Sequence, residues 1–265
     1  MSNYQVIFNG ITIGSGTNYV IQNIDGLGGT APLRVQDDNR GYIDGSYSGR
    51  DFYDARTVTI DMLVLGDGSH TAQYYYKQLQ IAFAPQQLGY YKNPVLGTNP
   101  ENYLQLFQFQ LNADTGLKRM YGRSRGLTTP INPEFTYGYI VCRLEVYFPD
   151  SRYYDDAGTT GTGSTITVSN SGWAYSSPVI SIASPSASGS ITDGITTMTF
   201  ASVPTGSALT VDLLQRVIYT GSTPARNIMT SASNGWLAIP PYYGSPVSWV
   251  SSVGSMSITY RNAYV

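Results

Sequence analysis

Over most of its length the chain alternates apolar and polar residues with a two-residue period, the mark of half-buried strands. In RTVTIDMLVLG, Val58, Ile60, Met62 and Val64 share one face, and in GYIVCRLEVYF so do Ile140, Cys142, Leu144, Val146 and Phe148. LQLFQFQL starts with Leu104 and Leu106 in one phase and continues with Phe107, Phe109 and Leu111 in the other. That slip predicts a β-bulge near Leu106–Phe107. One segment breaks the rule. In SHTAQYYYKQLQIAFAPQ, Ala72, Tyr75, Tyr76, Leu79 and Phe83 recur at helical spacing. The spacing predicts a helix near residues 71–84, capped by Ser69 or Thr71, stopped by Pro85 and lying against the sheet.

Further along, STITVSN, PVISIAS, ITTMTFASV, SALTVDLL, QRVIYTG, SPVSWVSSV and SMSITYRNAYV read as short strands punctuated by Gly, Pro and Ser. Regular short strands with such turns suggest an antiparallel sandwich. Charge divides the chain in the same place. Residues 1–152 hold 25 charged residues and residues 153–265 only 7, and all three tryptophans fall in the second part. Between them DDAGTTGTGST has nothing to bury and reads as a linker. The expected architecture is mainly β. A first domain over residues 1–154, mainly strands, carries one helix, a linker spans 155–164, and a second domain, a sandwich, spans 165–265.

Composition narrows the function. The net charge of −2 shows no basic excess, which argues against specific nucleic-acid binding. Charged residues make up 12%, about half the usual share, while tyrosine occurs 23 times. Tyrosine joins an apolar face to a polar tip and suits surfaces buried against a partner, although it is also a good strand residue. Cys142 is the lone cysteine, so no intrachain disulfide forms, and its inward row makes it a packing residue. No run of apolar residues is long enough for a membrane helix, and MSNYQVIFNG has neither a charged leader nor an apolar run. Synthesis in a cytoplasm without membrane insertion is expected.

The candidate chemical motifs fail on inspection. GLGGTA at 26–31 matches a dinucleotide fingerprint, but that motif works by opening a helix, and here Pro32 and LRVQDDNRG follow. The glycines are expected to serve positive φ angles in a tight loop. DDNRGYIDG resembles a calcium loop, yet counting from Asp37 puts Gly41 at position 5, Tyr42 at position 6 and Ser48 at position 12. Turns at Asp38–Gly41 and Asp44–Gly45 explain it. His70 is the single histidine and sits beside the helix start. No serine-hydrolase or P-loop signature occurs. No cofactor, metal or catalytic residue is expected. KRMYGRSR places Lys118, Arg119, Arg123 and Arg125 close together. It reads either as a contact for an acidic protein neighbour or as a solvated hairpin tip turning at Gly122. Trp173, Trp236 and Trp249 raise a sugar-stacking reading, against core packing for the two strand-like ones, Trp236 and Trp249.

The ordered series FNG, YVIQNIDGL, APLRVQDD and GYIDGSYSGRDFYDARTVTIDMLVLG resembles the N-terminal part of siphophage distal tail (Dit) proteins. YIVCRLEVYFPDSRYYDD resembles the exit from that part. NSGWAYSSPVISI, LTVDLLQRVIYTG with Asp212 ahead of Arg216, and SITYRNAYV are similar to the family's C-terminal sandwich. The resemblance spans nearly the whole chain. It implies a homohexameric ring at the distal end of a long non-contractile tail, in the virion. The resemblance implies two β-sandwich domains: the N-terminal one, with an added α-helix and a hairpin, would form the ring, and a galectin-like one would project outward. Partners would be other copies of the chain, the tail tube protein, the tail-tip hub (tail-associated) protein, and further the tape measure or receptor-binding proteins. The galectin sugar signature H-x-N-P-R is missing, so galectin-like describes architecture only.

In such a ring, residues 23–49 would form a loop-rich subunit face, with Arg34, Arg40 and Arg50 reaching aspartate or carbonyl partners. The expected interface residues are Arg34, Asp37, Asp38, Arg40, Asp44 and Arg50, with Lys118, Arg119, Arg123 and Arg125. Two rival readings remain. A carbohydrate-binding module that attaches a virion or enzyme to a bacterial cell wall would need Trp173, Trp236 or Trp249 exposed on one face. A hydrolase would need two aspartates converging in a cleft.

Overall fold

The computed structural model describes every residue except 1–3, 41–43, 45, 50, 85–103, 113–115, 131–137, 184, 186, 187, 204–206 and 234. It separates into two compact units, residues 1–153 with Val265, and residues 154–264. Both are mainly β and antiparallel.

The first unit contains β1 (Gln5–Phe8), β2 (Ile11–Gly14), β3 (Tyr19–Asp25), β4 (Leu33–Arg34), β5 (Asp38–Asn39), β6 (Ser46–Tyr47), β7 (Phe52–Tyr53), β8 (Arg56–Leu65), α1 (Ala72–Ala82), β9 (Gln105–Gln110), β10 (Lys118–Thr128) and β11 (Tyr139–Phe148). The main sheet runs β2-β1-β9-β10-β11-β8-β3. It closes over a core because β10 belongs to two layers. Residues 118–122 pair with β9, and residues 123–128 pair with β11 through a bulge between Ser124 and Gly126. Val6, Phe8, Phe107, Phe109 and Met120 thereby meet Ile60, Met62, Ile140, Leu144 and Phe148, all buried. Phe107 sits at the centre, 5.6 Å from the Phe8 ring and 5.1 Å from the Phe148 ring.

The alternating rows of β8 and β11 point inward as their spacing requires, Cys142 included. Burial pushes the Cys142 thiol up to about 12, so it stays protonated and inert. The bulge expected near Leu106–Phe107 is absent. β9 pairs with β1 and β10 in unbroken register, and Leu106 faces outward. Leu104 precedes the strand, so the apparent slip joins residues that never shared a face.

The helix forms where its stripe predicts. Thr71 is the N-cap, its side chain accepting from the Tyr74 N–H, and the helix ends at Ala82, with Pro85 outside the described residues. Leu79 and Phe83 enter the core, where Phe83 stacks on Phe8 at 5.6 Å. Ser124 Oγ donates to the Phe83 carbonyl at 2.8 Å, satisfying an end that would otherwise be buried unpaired. Ahead of the helix, Asp67 accepts from the Ser69 and His70 N–H groups and from the Tyr75 hydroxyl at 2.5 Å. These donors, Tyr75 first, hold its carboxyl down at about 2, against an ordinary 3.8. A carboxyl depressed by folding contributes stability that is present above its unfolded pKa and fades as pH falls toward the folded one. Urea midpoints should therefore drop between pH 4 and pH 2, and Asp67→Asn should flatten that part of the curve. An unchanged slope in the variant would refute the role.

Strand β12 (Tyr153–Asp155) spans the boundary, and the second unit contains β13 (Thr159–Gly163), β14 (Thr165–Val168), β15 (Val179–Ile182), β16 (Gly189–Thr192), β17 (Thr197–Phe200), β18 (Leu209–Asp212), β19 (Val217–Thr220), β20 (Thr223–Pro224), β21 (Met229–Ser233), β22 (Val247–Ser251), β23 (Met256–Tyr260) and β24 (Ala263–Tyr264). A sheet ordered β13-β23-β15-β18-β19-β20 packs on another ordered β14-β22-β16-β17-β21. Their inner rows, among them Ile166, Ile180, Met198, Val211, Trp249 and Ile258, form one core. The stretch read as a linker differs from expectation. Residues 159–163 form β13 and pair residue for residue with β23. Gly and Thr can line an edge strand when a neighbour supplies the hydrogen bonds, and composition alone does not reveal the neighbour.

Candidate assembly interface

Between β3 and β8 the chain leaves the first sandwich as an arm. Two nested two-stranded ladders build it, β4 with β7 and β5 with β6. GLGGTA leads into this arm and no helix follows. Gly26 and Gly29 have φ near +80°, and a Cβ on Gly26 would stand 2.2 Å from the Thr57 carbonyl oxygen. The root is clamped. The buried Arg56 guanidinium donates to the Leu27 carbonyl at 3.1 Å, and the Asp54 N–H donates to the Pro32 carbonyl at 2.8 Å. Burial lowers the Arg56 pKa.

Beyond the root the described arm is exposed, with Leu33, Val35, Tyr47, Phe52 and Tyr53 all open to solvent. An isolated two-stranded ribbon is marginally stable at best, and such side chains gain by meeting a second surface. Arg34 lies over the Phe52 ring at 5.5 Å and Arg40 over the Tyr47 ring at 4.9 Å. The expected aspartate or carbonyl partners of these arginines are thus replaced by aromatic faces. Arg50 lies outside the described residues. Asp37 Oδ1 accepts from the Gly49 N–H, while Asp38 and Asp44 have no cation within ion-pair distance among the described residues.

The basic segment is not a hairpin tip. It is the interior of β10, and Gly122 lies where the strand passes from one layer to the other. A Cβ there would stand 2.6 Å from the Phe148 ring and 2.8 Å from the Tyr147 carbonyl oxygen. Phe148 is wedged against Phe107 and cannot step aside, so Gly122→Ala should cost about 1–3 kcal/mol through overpacking. Chemical denaturation of the variant measures this, and wild-type stability would show the corner to be pliable. Met120, Gly122 and Ser124 face the core, and Lys118 begins that row. Arg119, Tyr121, Arg123 and Arg125 form the outward row. Arg123 and Arg125 lie over the Tyr147 ring, at 5.5 and 4.4 Å. The arm residues and this row belong to one unit, yet Asp38 and Asp44 make no ion pair with Arg123 or Arg125 among the described residues.

Nearby, a groove of about 550 Å³ is lined by Gln22, Asn23, Asp61, Thr128, Pro130 and Arg143, with Val141 and Cys142. Arg143 grips Asp61 with two bonds, 2.6 and 3.1 Å, and that hydrogen bonding lowers the Asp61 pKa. Among the described residues Asp61 is the groove's sole carboxylate, so no second described acid converges with it there as a hydrolase pair would need. Among the described residues no group of three or more His, Cys, Asp or Glu could hold a metal.

In the second unit the tryptophans separate. Trp249 is fully buried in the core, which removes it as a glycan contact. Trp236 is partly buried, with Arg226 at 5.6 Å over its ring. Trp173 is 56% exposed and meets Tyr264 edge-on at 4.8 Å. Tyr175, Tyr242 and Tyr243 are also exposed, and the Tyr242 N–H donates to the Gly172 carbonyl at 2.8 Å, which gathers the two segments into one cluster. Buried Asn170 organises the cluster, donating to the Ala174 and Pro240 carbonyls and accepting from the Gly172 and Ala263 N–H groups. Sequence reading missed Asn170, Tyr242 and Tyr243. An Asn in a Ser/Gly-rich turn carries no local sign of the distant strands it ties together.

Comparison with known proteins supplies the deciding observation. The Dit protein of phage SPP1, described as a paradigm of the hub adsorption apparatus in phages infecting Gram-positive bacteria, superposes with a TM-score of 0.67 at 15% identity. The match covers 98% of this chain and 99% of that one. This chain has the Dit fold. A chain of the phage P2 baseplate in its activated conformation with Ca also matches, with a TM-score of 0.51 at 10% identity, over 100% of this chain and 99% of that one. No family model and no curated protein matches the sequence. This fold is thus carried here by a sequence that shares few residues with either of those structures, as expected when alternation and turn chemistry, not residue identity, specify a sandwich.

Proposed function

We propose that this protein is a structural component of a phage tail tip. Copies would form a homohexameric ring at the distal end of a long non-contractile tail and link the tail tube protein to the tail-tip hub protein. The full-length match to SPP1 Dit carries the reading, since it includes both units. The exposed, aromatic-rich arm supports it. A ring of identical subunits joins two different faces of the same chain, and an arm standing off its own body is one such face. The action is mechanical. Rigid sandwiches seat the neighbouring proteins, and no bond is made or broken. Contacts with a tape measure or receptor-binding protein belong to the same reading.

Light scattering and negative-stain imaging of the purified full chain, alone and with its tail-tube and tail-tip partners, test this. Six-membered rings are expected. A chain that stays monomeric in every mixture would overturn the reading. The exposed Trp173 cluster favours one second reading, attachment to cell-wall glycan. Binding on a glycan array that Trp173→Ala abolishes would support that reading, and an unresponsive array would remove it.

A further inference from the structure

We propose that the arm of one copy lies on the outward row of β10 in the next copy, its aspartates meeting Arg123 and Arg125. This rests on the ring reading and names the two surfaces that reading leaves open. Charge makes the case first. Residues 33–54 hold five aspartates and three arginines, a net −2. The row supplies Arg119, Arg123 and Arg125, and the nearest carboxylate across the ladder is Glu145, opposite Gly126. The other outward cation on β11, Arg143, is already committed to Asp61.

Geometry makes the case second. Tyr147 supports the Arg123 and Arg125 guanidinium groups from below. Held over the ring in this way, their N–H groups remain available to grip a carboxylate with two bonds. Tyr121, within the row, and Leu106, opposite it on β9, are exposed, matching the apolar side chains of the arm in kind. The arm does not cover its own row, because its described residues beyond the root are exposed.

The test uses two full-length variants, Arg123→Glu with Arg125→Glu, and Asp38→Arg with Asp44→Arg. Wild-type rings should weaken as salt rises. Each variant alone should assemble at least about tenfold more weakly than wild type. An equimolar mixture should regain rings of alternating copies, because each altered arm then meets an altered row. Thermal melts check folding, and Asn and Gln replacements at the same positions serve if the reversed charges do not fold. If wild type forms rings and Arg123→Glu with Arg125→Glu forms them equally well, the pairing is wrong while the ring reading stands. If the variants weaken but the mixture stays unassembled, the two surfaces do not face each other. If no variant and no wild-type chain ever assembles, both readings fall. Retained rings that lose binding to a soluble polyanion would assign the row to another partner.

Discussion

Trp249→Ala should destabilise the second unit by about 3–5 kcal/mol, the usual cost of emptying a fully enclosed aromatic site. Trp249 is 0% exposed and lies among Ile166, Met198 and Ile258, contributed by both sheets. Neither sheet can close the cavity without giving up its register. Against a typical total of 5–15 kcal/mol, such a loss leaves the unit close to unfolding at growth temperature. A fall in melting temperature of more than about 10 °C is expected. Trp173→Ala provides the control and should change stability by less than about 0.5 kcal/mol, because that ring lies on the surface. Equal effects at the two positions would contradict the packing described for the second sandwich.

The second large effect is expected at Asn170. Its side chain makes four hydrogen bonds, between 2.7 and 3.2 Å, to four backbone groups drawn from residues 172–174, 240 and 263. The side chain is fully buried, so alanine would leave those groups without water to replace it. Each stranded buried group costs on the order of 1–3 kcal/mol, and partial relaxation brings the sum to about 3–5 kcal/mol. Asn170→Asp should not rescue, since it keeps the acceptors but loses both donors and buries a charge. Trp173 fluorescence should respond as well, because the loop that displays the ring loses one of its ties to Ala263, keeping only the backbone bond from the Ala174 N–H. A variant with wild-type stability and an unchanged spectrum would show that the cluster is held by other means.

Much of this fold is legible in the sequence because alternation is a local property. Each strand residue faces one side or the other whatever its neighbour strand may be, so the inward rows of β8 and β11, the buried Cys142 and most strands of the second sandwich follow from spacing. The helix follows equally, since its stripe, its Thr71 cap and its end all lie within one short segment. The exclusion of the nucleotide reading is also local, because Pro32 and LRVQDDNRG follow GLGGTA where an amphipathic helix would be required.

The rest depended on partners distant in the chain. Leu106 looked like part of an apolar run, and only pairing with β1 and β10 placed it on the outer face. KRMYGRSR has a glycine that suggests a turn, yet Gly122 is present because Phe148 passes where a side chain would be. The glycine-threonine stretch became β13 because β23 offered it hydrogen bonds. The two strand-like tryptophans divided into one core residue, Trp249, and one half-buried, Trp236. Strand identity and helix identity were thus determined by the sequence itself, through periodicities that each segment carries alone. Which edges pair, which corners close and which side chains remain at the surface were decided by tertiary structure, because these depend on long-range pairing that no single segment encodes.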